Sequence, residues 1–176
     1  MDTKAYGTKT MRTVVALVCM FSAIGSAKAF DQERAKSQDG EGCQRIEARL
    51  ATATVAENCP SPVGLCAAGV VSRNALIRGT TFANVLGLAP SAGLAGIIPE
   101  TTLSLAGERT ISASQGTLSF RFATIFDTAK GEFAEINTVT GGTERFAGAT
   151  GTLWITGSGT TVFEGQVTGQ ICTNRR

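Results

Sequence analysis

From residue 44 onward, apolar and polar residues alternate in short segments that glycines interrupt. This period of two is typical of half-buried β-strands, and no apolar stripe with the 3.6-residue period of a helix occurs there. In the later half, turn residues recur about every ten positions. The pattern predicts seven or eight strands over 46–58, 66–71, 75–86, 101–112, 117–127, 132–140, 150–156 and 161–172. Residues 87–99 are predicted to form an apolar loop of small residues.

The predicted strands form a meander, whose first and last strands would each leave an unpaired edge. Closure into a barrel removes both edges and places the first strand beside the last. We therefore predict an all-β fold, a closed antiparallel up-and-down β-barrel of about eight strands. An open two-sheet sandwich is the alternative.

The N-terminus of the 176-residue chain has the pattern of an export signal. Lys4, Lys9 and Arg12 precede the apolar run 14–24, and Ala27-Lys28-Ala29 follows as a small-x-small cleavage site. The run is shorter than the roughly 20 residues of a membrane-spanning helix, so no anchor is expected in the mature protein. We predict a signal peptide over 1–29, a flexible leader over 30–42 and one barrel domain over 43–176, in a secreted or periplasmic protein.

Cys19 lies in the predicted signal peptide and is lost when the signal is cleaved. The mature chain keeps four cysteines: Cys43, Cys59, Cys66 and Cys172. An even number in an exported chain indicates two disulfides, for which three pairings exist. The turn-rich residues 60–65 favour a local ring between Cys59 and Cys66. Cys43 then pairs with Cys172, as barrel closure also suggests. The spacing is wrong for a zinc site, and no metal is expected.

Composition excludes several kinds of chemistry. Histidine is absent and Tyr6, the single tyrosine, lies in the predicted signal, which excludes His-dependent triads and His-ligated metals. The predicted mature chain keeps 12 basic and 13 acidic residues, a net charge of −1, so it has no basic stripe for nucleic acid. No motif points to a cofactor, and none is expected.

Residues 138–151, TVTGGTERFAGATG, together with the spacing Phe126-Asp127-x-x-x-Gly131-x-Phe133, carry a resemblance to a known family. They resemble the allene oxide cyclase barrel-like superfamily, which includes the plant dirigent proteins. The resemblance implies a barrel and, since known members are typically trimeric, a homo-oligomer. Glu144 departs from the family pattern, where many relatives have glycine, and a positive φ there would cost about 1 kcal/mol.

The same stretch has a structural interpretation. Gly141 and Gly142 allow a sharp exit from the strand, and Phe146 plugs the end of the barrel while the chain around Gly148 passes closely over it.

Four polar residues in mid-strand positions are candidate ligand-binding residues: Arg121, Glu135, Asn137 and Glu164. Facing inward, they would bind or protonate a ligand, whereas facing outward they would be ordinary solvated residues. Alternation separates the two faces of each strand without telling which face is inside.

Three functional hypotheses follow. The first is an exported barrel that binds a small apolar or amphipathic molecule in its central cavity. The second is an isomerase or cyclase that acts by confinement, without a metal or redox cofactor. The third is a structural or interaction protein with a filled barrel, whose apolar loop 87–99 contacts identical subunits or a cell-envelope partner. No catalytic residue is assigned, and the pattern favours a non-enzymatic role.

Overall fold

The computed structural model describes residues 42–91 and 100–174, so the predicted signal peptide and nearly all of the leader lie outside the described residues. The described residues form eight strands and one turn of 3-10 helix. The strands are β1 (Cys43–Val55), β2 (Cys66–Ser72), β3 (Gly79–Pro90), β4 (Thr102–Ala113), β5 (Gly116–Asp127), β6 (Glu132–Gly142), β7 (Thr150–Gly159) and β8 (Val162–Cys172), and the 3-10 turn Glu144–Phe146 precedes β7.

The eight strands close into an antiparallel up-and-down barrel, as predicted. Each strand pairs with the next, and β1 pairs with β8 from Cys43 opposite Cys172 to Ala53 opposite Val162. Both predicted disulfides, Cys43–Cys172 and Cys59–Cys66, are present. The first bridge therefore links the two strands that close the barrel.

The third strand differs from its prediction at both ends. Residues 75–77 belong to a turn, in which Asn74 Oδ1 accepts hydrogen bonds from the backbone N–H groups of Leu76 and Ile77. At the other end, Gly87–Pro90 extend β3 instead of forming a loop, because they pair with Leu103–Ala106 of β4 beyond a bulge. The rest of the predicted loop, 92–99, lies outside the described residues.

One end of the barrel is filled with side chains. We call it the closed end; it carries the Cys43–Cys172 bridge and the β2–β3, β4–β5 and β6–β7 connections. Its core includes Ile46, Ile77, Leu118 and Ile171, all fully buried. The opposite end, which we call the open end, carries the other four connections; most of the β3–β4 connection lies outside the described residues.

The β6–β7 connection covers the closed end. Phe146 is fully buried there, and a Cβ on Gly142 would lie 2.5 Å from the carbonyl oxygen of Phe146, so glycine permits this close approach. Gly148 and Glu144 have φ of +72° and +51°. A Cβ on Gly141 would meet nothing within 4 Å, so space does not require glycine at that position.

Candidate ligand-binding site

The open-end half of the barrel contains a cavity of about 260 Å³. Its wall is mostly aliphatic and aromatic, with Leu65, Val85, Leu105, Phe122, Phe133 and Phe163 among its residues. Thr52, Thr54 and Thr160 also line it. The rings of Phe126 and Phe133 each meet the ring of Phe163 edge-on, with centroids 6.0 and 6.1 Å apart. Such edge-to-face pairs contribute about 0.5 to 1.5 kcal/mol beyond burial and so stabilise this arrangement of the rings.

The shorter disulfide shapes one side of the cavity. The ring closed by Cys59–Cys66 contains Ser61, whose hydroxyl donates to the carbonyl oxygen of Val85 and accepts from the backbone N–H of Leu65 at 3.0 Å. The Leu65 carbonyl in turn accepts from the Val85 N–H at 3.1 Å. These bonds hold Leu65 against β3, where it lines the cavity.

A cluster of polar side chains closes the inner end of the cavity. This polar floor consists of Arg109, Thr124 and Glu135, which line the cavity, and Asn137, which does not. Arg109 Nη2 donates to Glu135 Oε1 at 2.8 Å, and Thr124 Oγ1 donates to Oε2 at 2.8 Å. Asn137 Nδ2 donates to Oε1 at 2.7 Å. Glu135 thus accepts hydrogen bonds on both carboxylate oxygens.

The positions of these side chains follow from strand register. Thr124 and Glu135 are direct partners across β5 and β6, so their side chains share one face of the sheet. Asn137 is two residues beyond Glu135 and faces the same way. Arg109 lies on β4, the neighbour of β5, on the inward face that also carries Leu105 and Ile111.

Arg109 and Glu135 are both 6% exposed, so the floor contains a buried ion pair. The Arg109 guanidinium lies 5.6 Å from the centroid of the Phe122 ring, a cation–π distance. Gly107 makes room for that ring, since a Cβ there would lie 2.6 Å from Phe122 Cζ. Among the described residues, Arg109 Nε and Nη1 and Asn137 Oδ1 have no hydrogen-bond partner.

The structure separates the four predicted site residues into two groups. Glu135 and Asn137 face inward and meet in the polar floor. Arg121 and Glu164 lie on the outer face of the barrel and do not line the cavity, which corrects the expectation that they could face a ligand. Arg121 Nε is 3.9 Å from Glu108 Oε1, with side chains 77% and 54% exposed. On β5 and β8 the larger apolar side chains lie on the face opposite to Arg121 and Glu164. That apolar face turns towards the interior, so Arg121 and Glu164 point outward.

Sequence reasoning missed Arg109 and Thr124. A signal for Arg109 was present, because Leu103, Leu105 and Ile111 mark one face of β4 as apolar and Arg109 falls on that face. A charged residue within an apolar face is the informative exception. Thr124 gave no comparable signal, since threonine is common on both faces of strands.

The rim of the open end includes Asp127, which begins the β5–β6 turn. Desolvation raises the pKa of Asp127. This effect is outweighed by hydrogen bonds from the Thr101 hydroxyl and from the backbone N–H groups of Ala129 and Lys130, together with the positive charge of Lys130. The pKa of Asp127 is therefore held below its ordinary value of 3.8.

Comparison of the chain with protein-family models, curated proteins and solved structures finds no match. Within residues 42–91 and 100–174, no helix has the length and apolar character needed to span a membrane. The same residues contain no group of three cysteine or acidic side chains arranged to hold a metal ion.

Proposed function

We propose that this protein is an exported, disulfide-linked β-barrel that binds one small, mostly apolar molecule in the cavity at its open end. One observation carries the proposal: the cavity is mostly apolar, with a few threonine hydroxyls on its wall, and its inner end is closed by Arg109, Thr124 and Glu135. Ligand pockets combine apolar walls with a few placed polar groups in this way.

The size of the cavity sets the size of the molecule. An apolar cavity of about 150 Å³ holds benzene. A cavity of about 260 Å³ should therefore hold about ten non-hydrogen atoms, such as a fused two-ring compound or a short chain. Long acyl chains are too large to be enclosed.

The geometry favours binding over the two other hypotheses. A confinement isomerase or cyclase needs a group that is free to move a proton, whereas the Glu135 carboxylate is paired with Arg109 and accepts hydrogen bonds on both oxygens. A filled barrel would continue the packed core to the open end, where the cavity lies instead.

The same proposal includes export of the protein and a relationship to the allene oxide cyclase-like superfamily. Two disulfides are typical of an oxidising compartment, which supports the predicted signal peptide and cleavage near Ala29. The closed barrel and the position of residues 138–151 at its closed end support kinship with the allene oxide cyclase-like superfamily. A homo-oligomer, including a trimer, stays a prediction from that resemblance.

The test uses indane, an uncharged two-ring hydrocarbon, titrated into the oxidised mature protein and followed by the methyl NMR signals of cavity-lining leucines and valines. At about 0.5 kcal/mol per atom, nine carbon atoms give a dissociation constant of about 0.1 to 1 mM. Ala67→Leu adds three carbons to the cavity wall and should weaken binding about tenfold or more.

Ala123→Leu makes the same change on the exposed outer face of β5 and is the matched control. Equal indane binding by the wild type and Ala67→Leu, or no saturable shift of the cavity methyl signals, would contradict the proposal.

A further inference from the structure

We infer that the molecule held in this cavity is uncharged and presents one hydrogen-bond acceptor oxygen, such as that of a ketone, aldehyde or ester, to Arg109. This inference rests on the proposed function and adds the chemical class of the ligand. Three independent features of the described residues support it: the hydrogen bonds that the floor still offers, the charge balance of the cavity, and the charges around its mouth.

The floor offers more donors than acceptors. Of the five N–H groups of Arg109, one, on Nη2, donates to a protein group. Nε and Nη1 have no partner among the described residues and almost no accessible surface, so a ligand oxygen reaches them through a small movement of the side chain. A carboxylate has about four acceptor sites, and three of those on Glu135 are used. Asn137 Oδ1 lacks a partner but does not line the cavity. A ligand group that accepts a hydrogen bond therefore satisfies more of this floor than one that donates.

The charges of the floor cancel. Arg109 and Glu135 are the two ionisable side chains among the residues that line the cavity, and they already form an ion pair at 2.8 Å. A ligand carboxylate would bring a second negative charge into a mostly apolar space with no unpaired cation. Burial of such an uncompensated charge is strongly unfavourable, whereas a carbonyl oxygen makes the same hydrogen bond without that cost.

The mouth of the cavity is acidic. Along the open-end connections and the strand residues beside them, the described charged residues are Glu57, Glu100, Asp127, Lys130 and Glu132. Four negative charges against one positive charge repel anions and impose no barrier on neutral molecules. A cationic ligand would be attracted to this rim, but the floor offers it no unpaired negative charge, because Glu135 is paired with Arg109.

Three probes with the same ring system test the inference: indane, 1-indanone and indane-1-carboxylate. In the wild type at pH 7, 1-indanone should bind about 10- to 100-fold more tightly than indane, the effect of one hydrogen bond from a charged donor. Indane-1-carboxylate should bind more weakly than 1-indanone. The methyl NMR titration gives all three dissociation constants.

The double variant Arg109→Met/Glu135→Leu removes the guanidinium donors and both charges together without adding an amide donor, and should bind 1-indanone and indane with affinities within about threefold of each other. Ala123→Leu should keep the wild-type preference. If the wild type binds indane but does not prefer 1-indanone, or prefers the carboxylate, the inference is wrong while the proposed function stands. If none of the probes binds, the proposed function itself fails. The wild-type comparison does not depend on whether the double variant folds.

Discussion

The ion pair in the polar floor should stabilise the fold only as a unit. Arg109 and Glu135 are both 6% exposed, and each is the sole charged neighbour of the other within the described cavity lining. Removing one partner of a buried pair leaves an uncompensated charge, which costs about 3 to 5 kcal/mol. Replacing both partners by uncharged groups of similar volume is often neutral or stabilising.

The structure refines these values for each variant. Glu135→Gln keeps an acceptor oxygen for its neighbours but removes the counter-charge of Arg109, so we expect a loss near the lower limit, about 3 kcal/mol. Arg109→Met leaves the carboxylate with its bonds from Thr124 and Asn137 but no cation, and should cost about 3 to 4 kcal/mol. The double variant should lie within about 1 kcal/mol of the wild type.

Urea unfolding of the four proteins, expressed from Phe30 with both disulfides formed, gives the double-mutant cycle. The coupling free energy should exceed about 3 kcal/mol, with unchanged m-values. Additive single effects, with coupling below about 0.5 kcal/mol, would show that the two charges do not depend on each other in the folded state. Single losses below about 1 kcal/mol would show that water solvates the floor. Either result would refute the reasoning.

Three further predictions concern parts of the barrel outside the site. Replacing both cysteines of the Cys43–Cys172 bridge by serine should cost about 5 kcal/mol in urea unfolding, against about 2 kcal/mol for the Cys59–Cys66 bridge, because the bridges span 129 and 7 residues. Equal losses would contradict this. Glu144→Asn should raise the free energy of unfolding by up to about 1 kcal/mol, because asparagine tolerates the φ of +51°, whereas Glu144→Val should lower it. Asp127 stabilises the fold fully above its ordinary pKa of 3.8, and this stabilisation is lost as the pH falls through the lower pKa of the folded state. The Tm difference between the wild type and Asp127→Asn should therefore be constant from about pH 5 to 7 and shrink towards pH 2; a difference that persists at pH 2 would contradict it.

The closed barrel was predictable because two kinds of information agreed. Alternation identified the strands, and the cysteine positions independently indicated that the first strand meets the last, which the Cys43–Cys172 bridge bears out. Local propensity failed where tertiary contacts decide. Gly87–Pro90 has weak strand propensity, yet it becomes strand because β4 supplies its partners. Leu76 and Ile77 look like strand residues, but Asn74 holds them in a turn that fills the closed end.

The site was harder to predict because its residues come from three strands. Glu135 and Asn137 were identifiable as polar residues in a strand, but their inward orientation depends on which face of the sheet is buried. On β5 the face with Phe120 and Phe122 is the bulkier one, which would have placed Arg121 outside. The ion pair itself depends on the register between β4, β5 and β6, which alternation within one strand does not contain.

The division of the interior into a filled end and a hollow end follows from side-chain size along the same strands. An eight-stranded barrel is just wide enough to be filled by side chains or to hold one small ligand. Large side chains fill the closed end, whereas at the level of the cavity small residues such as Ala67 and Ala83 stand between the larger ones and leave space. Gly107 and Gly165 let the rings of Phe122 and Phe133 lie over the wall. An apolar side chain at position 109 could have continued the core without the desolvation cost of two buried charges. The ion pair at this boundary is therefore not needed to fill the barrel, and it supports the proposal that the cavity binds a ligand.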